Sequence, residues 1–309
     1  MTTRAHSPSM PSVPFSTTAA DQLSLASLAH AARASLQWRM LLLWVVLMLI
    51  PTAIVVMPVW QTLSANLDHA VHAPALAQHL DMTAIADLMA AHGKSSSAFS
   101  NSAVLALIVT LLLSPLLSGM AVTAARSPRT LGFRALAGGA LAEYPRMLRV
   151  LVWAAVPLGI ALAVGAAASA AADKFAAGAI VAADASLPAA LASVLTVLLL
   201  VLAHATLDAG RAALAIERRR SSAVKAWWSG CKILLRRPLA TLGVYLAISL
   251  AGLGLAALLS VARLNLPGGG AASFIGALLL TQVIVAVIGA MRSARLFAMV
   301  ALARSAPKA

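Results

Sequence analysis

Asp208 and Arg211 stand three residues apart in "LAHATLDAGRAALAIERRR", Leu202 to Arg220, where a long apolar run meets its first charges. Residues at that spacing share a helix face, so a carboxylate and a guanidinium there can pair. An ionisable group within a membrane segment is a functional candidate by default. His204 lies one turn earlier, and an imidazole can relay protons near neutral pH. Thr281 and Gln282, in another apolar run, are polar residues that could meet it. With no second deep acid to receive a proton, a pump is not favoured. Two readings of Asp208 stay open. One is a helix exit carrying a local ion pair with Arg211. The other is a clasp in which Asp208 takes an arginine from another repeat, such as Arg126 or Arg292.

Other residue types are less specific. Asp68, His69, His72, His79, Asp81, Asp87 and His92 share one polar stretch. Imidazole and carboxylate are transition-metal ligands, but no HExxH-like spacing is present, and solvated loop residues explain them as well. The single cysteine, Cys231, can form neither an internal disulfide nor a structural zinc site alone. Ser118-Gly119 has no histidine in the last apolar run to act as base. "NLPGGGAAS", Asn265 to Ser273, is turn chemistry without the GK[ST] of a phosphate loop. No catalytic, cofactor-binding or metal-binding residue is assigned, and the expectation is a protein that is not an enzyme.

These positions are held by elements that composition defines. Of 309 residues, 61% are hydrophobic and 10% charged, far below the charged fraction of about 25% in soluble domains. A membrane-spanning helix needs about 20 mainly apolar residues. Six runs qualify, at about 39–60, 102–125, 148–171, 188–210, 239–261 and 271–291. They are continuous rather than alternating, which selects helices over a barrel. The expected fold is an all-α polytopic bundle of six transmembrane helices in three hairpins, with interfacial amphipathic helices on the cytoplasmic side. Residues 1–22, rich in Ser, Thr and Pro, read as a disordered cytoplasmic tail. Residues 23–309 read as one transmembrane domain with an external loop at 61–101. From about Pro188, twenty helical steps bring Asp208 about 30 Å along, to the cytoplasmic edge of the hydrocarbon.

Charge orients the bundle. With the N-terminus inside, 20 of the 23 Lys and Arg fall on the cytoplasmic side, and only Lys94, Lys174 and Arg263 fall outside. That is a strong positive-inside bias. It predicts a multi-pass bacterial inner-membrane protein with both termini cytoplasmic. It also accounts for the net charge of +14 by anionic lipid attraction rather than nucleic acid.

Arginine recurs just before each odd-numbered span, in "ASLQWRMLLLWVVL", "LAEYPRMLRVLVWAAV" and "CKILLRRPLATLGVYLAI". The even-numbered spans end in small residues followed by arginine, which suggests an internal repeat of three hairpins in parallel orientation. In "SSAVKAWWSGCKILLRR", Val224, Trp227, Cys231 and Leu235 form an apolar stripe widened by Trp228, opposite Lys225, Ser229, Lys232 and Arg236. That pattern predicts a helix lying in the headgroup plane. Phe133, Leu136, Ala140, Tyr144 and Met147 form a similar stripe before span three, and Leu25, Leu28, Ala32 and Leu36 one before span one. Trp38, Tyr144, Trp227 and Trp228 are the expected interfacial anchors. Membrane anchoring is one use of such segments, and docking of a protein partner the other. Ala163-Ala167, Gly165-Ser169, Gly252 and Gly254 are expected close-packing positions, while Pro51, Pro58, Pro115 and Pro157 should kink helices or mark their ends.

The stretch from Leu207 to Leu246, "LDAGRAALAIERRRSSAVKAWWSGCKILLRRPLATLGVYL", resembles a pattern in uncharacterised bacterial six-helix membrane proteins. These are similar to the membrane domain fused to some glycerophosphodiesterases. That domain is not the catalytic part, so the resemblance implies an architecture and no reaction. Ala226 and Gly230 also echo the coupling helix of importer permeases, but the acids of its EAA motif are missing. The combined expectation is a non-enzymatic scaffold or accessory subunit acting through lipids or a protein partner. The alternative is a permease-like protein with a substrate path between hairpins. A packed interior favours the first, and a polar cavity near His204 and Gln282 the second.

Overall fold

The computed structural model describes residues 36–67, 96–127, 129–178, 182–219, 221–266 and 271–305. Among these the chain is all-α, with seven helices: α1 (Trp38–Leu67), α2 (Ser96–Arg126), α3 (Phe133–Ala177), α4 (Ala182–Ile216), α5 (Ala223–Arg236), α6 (Pro238–Leu264) and α7 (Ala271–Ser305). All except α5 are long and apolar enough to cross a membrane. The chain is therefore a multi-pass membrane protein by the length and composition of its helices. The histidines and acids between Asp68 and His92, the tail at 1–22 and most of the stripe before α1 lie outside the described residues.

The helices outrun the apolar windows that locate them. The stripe before span three is not a separate interfacial helix. It is the first part of α3, which continues through Pro145 and Pro157 for 45 residues, about 66 Å of helix. A full bilayer is about 40–45 Å thick, so α3 carries its arginine-bearing end well past the hydrocarbon. Leu136, Ala140 and Met147 of that stripe are buried, whereas Phe133 is 40% exposed. The segment thus packs on the bundle instead of lying flat in the headgroups. Pro51 and Pro58 in α1, Pro115 in α2 and Pro188 in α4 also lie inside helices rather than at their ends.

Helices adjacent in sequence pack together, α1 on α2, α3 on α4 and α6 on α7, and α2 also packs closely on α3. α7 reaches α4, α1 and α2, while α6 leans mainly on α7. Burial is uneven along this bundle. Leu207, Ala209, Ala212, Leu214, Ala215, Leu296, Met299 and Val300 are all buried, as are Met120, Val122 and Ala124. These lie at the arginine-bearing ends of α4, α7 and α2. Toward the opposite ends Leu187, Leu191, Val194, Leu253, Leu258 and Phe274 are exposed. Only 11–28% of each span's apolar window is buried within the chain, so most of that surface is left on the outside of the bundle. Of the expected small-residue contacts, Gly165 meets Thr196 of α4 and Gly252 meets Met291 of α7, while Gly254 has open space around it. Ala163, Ala167 and Ser169 are exposed. They sit off the buried column Ala154, Ala161, Gly165, Ala172.

α5 has three faces rather than two. Ser222 caps it, its hydroxyl accepting from the Lys225 amide, which satisfies one of the free N–H groups of the first turn. Ala226, Gly230 and Leu234 are buried against the bundle. Val224, Trp228 and Leu235 form an outward apolar stripe, 47%, 55% and 78% exposed. Lys225, Lys232 and Arg236 are exposed beside it. The packed face is the small-residue one because helices cross closely where side chains are short. A Cβ on Gly230 would lie 2.5 Å from the Thr206 carbonyl oxygen and 2.6 Å from the Gly210 nitrogen.

Candidate functional site: the clasped helix ends

Two ionic clusters tie the arginine-bearing ends together, and α4 belongs to both. The first is centred on Glu143 of α3, one of two buried acids among the described residues. Its carboxylate takes Arg126 of α2 at 2.5 Å and Arg146 at 2.6 Å. The same guanidinium groups cap the end of α4. Arg126 donates to the Ala215 carbonyl at 2.7 Å and the Leu214 carbonyl at 2.9 Å. Arg146 donates to Leu214 at 3.1 Å and Glu217 at 2.9 Å. The last four carbonyls of a helix lack intrahelical donors and carry its negative dipole end. Two cations there satisfy them and bind α2 and α3 to α4.

The second cluster is centred on Asp208, the other buried acid. Arg211 holds one carboxylate oxygen at 2.5 Å, and Arg295 of α7 lies 3.4 Å from the other. Arg295 also donates to the Ser249 hydroxyl at 3.1 Å. Its guanidinium stands 4.7 Å from the Tyr245 ring centre, a cation–π arrangement. Asp208 is therefore both a local ion pair and an interhelical clasp. The clasping arginine is Arg295, neither Arg126 nor Arg292. Arg126 is taken by Glu143. Arg292 stands 5.9 Å from the ring centre of Trp44 in α1 and makes no ion pair among the described residues.

The remaining polar positions are not brought together. His204 is exposed, with its Nδ1 2.9 Å from the Leu200 carbonyl one turn back on its own helix. Thr281 bonds the Ala277 carbonyl of its own helix, and no hydrogen bond joins His204 to Gln282. The described residues contain no cluster of three metal-ligating side chains. Of the aromatic anchors, Trp38 is 62% exposed and edge-on to Phe133. Trp228 is exposed, and the Tyr144 hydroxyl donates to the Leu112 carbonyl at 3.1 Å. Trp227 turns inward instead. Its indole N–H donates to the Thr206 hydroxyl at 3.1 Å and its ring meets Trp153 edge-on. It is a strut between α5 and α4. Cys231 is half-buried, and burial pushes its thiol above the ordinary value.

Sequence reasoning passed over Glu143, Arg146, Arg295 and Tyr245. A signal existed for the first: with only 9 acids against 23 Lys and Arg, an acid lodged among arginines at a helix end has partners at hand. No family model, curated protein or solved structure matches this chain.

Proposed function

We propose that this chain is a non-enzymatic protein of a bacterial inner membrane, with both termini cytoplasmic, that serves as a scaffold or accessory subunit. It acts through lipids and a partner at its arginine-rich face. The observation carrying this reading is the double clasp. Helices α2, α3, α4 and α7 are joined at one end by buried ion pairs and carbonyl caps, and α6 joins them through the Ser249 hydroxyl and the Tyr245 ring on Arg295. α5 is seated there with Val224, Trp228 and Leu235 beside Lys225, Lys232 and Arg236, all facing outward. An apolar stripe flanked by cations suits anionic headgroups. A fixed, ion-paired end suits a platform more than a gate. Transport through a polar path at His204 and Gln282 has less support, since His204 faces outward and bonds its own helix.

Two helix crossings lend support to the proposed repeat. Gly119 and Gly139 lie at the α2–α3 crossing, and Gly210 and Gly230 at the α4–α5 crossing, each pair at the same sequence separation. The test is purification from native membranes in mild detergent with mass spectrometry of what is retained. The expected result is a stoichiometric protein or anionic lipid that the triple variant Lys225→Glu, Lys232→Glu, Arg236→Glu loses. A chain that retains the same companions after this reversal would overturn the role given to α5. Solute flux in proteoliposomes of the purified chain would favour a carrier.

A further inference from the structure

A groove of about 600 Å³ runs between α1, α2 and α7. Its lining is almost wholly apolar and includes Met48, Val55, Val56, Ala106, Leu107 and Ile288. At one end sit Trp44 and Arg292, and toward the other Ala103 and Val56. Along α1 the groove covers the twelve steps from Trp44 to Val56, about 18 Å. That is close to the thickness of one leaflet's acyl layer, about half of a 30 Å core. Arg292 stands at the matching depth. From Ala271 to Arg292 is 21 helical steps, about 32 Å, so a helix entering at Ala271 brings Arg292 to the far hydrocarbon boundary.

At that boundary Arg292 makes no ion pair of its own among the described residues. Asp208 is occupied by Arg211 and Arg295, and both arginines are within electrostatic reach of Arg292. Three guanidinium groups therefore share one carboxylate. Arg292 is exposed and is steadied by the Trp44 ring. Trp44 itself is pressed against α7 at Gly289, where a Cβ would come within 2.9 Å of the indole. A larger residue there would push the ring and the arginine above it out of place.

We propose that this groove holds one anionic phospholipid of the cytoplasmic leaflet, its phosphate on Arg292 and one acyl chain between α1, α2 and α7. The leaflet assignment rests on the orientation proposed above; the groove and its cation do not depend on α5. Charge selects the headgroup, because the net positive field of three arginines against one aspartate attracts an anionic lipid more than a zwitterionic one.

The experiment uses the full chain, delipidated in detergent and incubated with mixed micelles of phosphatidylglycerol or phosphatidylcholine. Lipid phosphorus per chain is read after gel filtration. Wild type should retain phosphatidylglycerol in preference to phosphatidylcholine. Arg292→Gln should cut retention about fivefold, as expected for removing one lipid-facing cation, and Arg292→Lys should restore much of it. Thr52→Trp, which fills the groove from an exposed position lining it, should lower retention without touching the cation. Circular dichroism and elution volume establish that each variant is folded. Equal retention by wild type, Arg292→Gln and Thr52→Trp would mean non-specific annular lipid and overturn the proposal. Loss only in Arg292→Gln would mean a headgroup contact with no chain in the groove, and would overturn it too. In the α5 charge-reversal background the difference in retention between Arg292 and Arg292→Gln should persist whatever lipid α5 itself gives up, so the groove and the α5 role stand or fall separately.

Discussion

Glu143 and Asp208 each do two things with one carboxylate: neutralise cations drawn from two positions and hold them where they bind other helices. For Glu143 those cations also close the end of α4. Removing one partner of a buried ion pair leaves an uncompensated charge, which typically costs about 3 kcal/mol or more. Glu143→Gln should therefore lower the stability of the detergent-solubilised chain by roughly 3 kcal/mol, read as a clear fall in melting temperature. Asp173→Asn, at an exposed acid, should leave it nearly unchanged. Equal shifts in the two variants would remove the clasp from the account. Cys231 makes a second residue-scale prediction. The thiolate is the reactive form, and burial raises this thiol above its ordinary value. At pH 8 maleimide should modify it more slowly than a free thiol, with the rate climbing only in more alkaline buffer; unfolding should abolish the difference.

At the scale of the element, α5 is held by close approach at Ala226 and Gly230 together with Leu234 and the inward-turned Trp227. Its seat is Ala226, Gly230 and Leu234, and its fit depends on the missing Cβ at position 230. Gly230→Val should lift α5 off α4, and Cys231 on the next position should then react faster with maleimide. Unchanged labelling would contradict the packing. The stripe of Val224, Trp227, Cys231 and Leu235, widened by Trp228, was legible in the sequence, because amphipathic spacing announces that a helix has an apolar side, although Trp227 leaves it to turn inward. What periodicity does not announce is which side meets protein. Lipid and protein both accept apolar surface, so the small residues, not the large ones, mark the protein contact in a membrane. The same ambiguity explains α3. An amphipathic stripe before a span reads as interfacial, yet Leu136, Ala140 and Met147 bury against the bundle and the helix runs on unbroken. The six spans themselves were plain because backbone groups in hydrocarbon must be satisfied locally, and this forces long continuous helices.

Across the whole molecule the asymmetry is one of ends. One end carries the ion pairs, the carbonyl caps, α5 and the cation of the lateral groove; the other exposes the apolar faces of its helices. The positive-inside bias was readable from the positions of Lys and Arg alone. The pairing of Glu143 and Asp208 was only half readable, since a sequence gives i,i+3 neighbours such as Asp208 and Arg211 but not the long-range choice of Arg295 over Arg292. Every role proposed for the arginine-rich end needs that end to face the anionic cytoplasmic leaflet. Orientation is therefore the most direct test. Arg304→Cys in a Cys231→Ser background places one thiol at an exposed position near the end of α7. A membrane-impermeant maleimide should label it in inverted membrane vesicles and leave it unlabelled in intact spheroplasts. Labelling in spheroplasts would put the clasped end outside and contradict the account at its base.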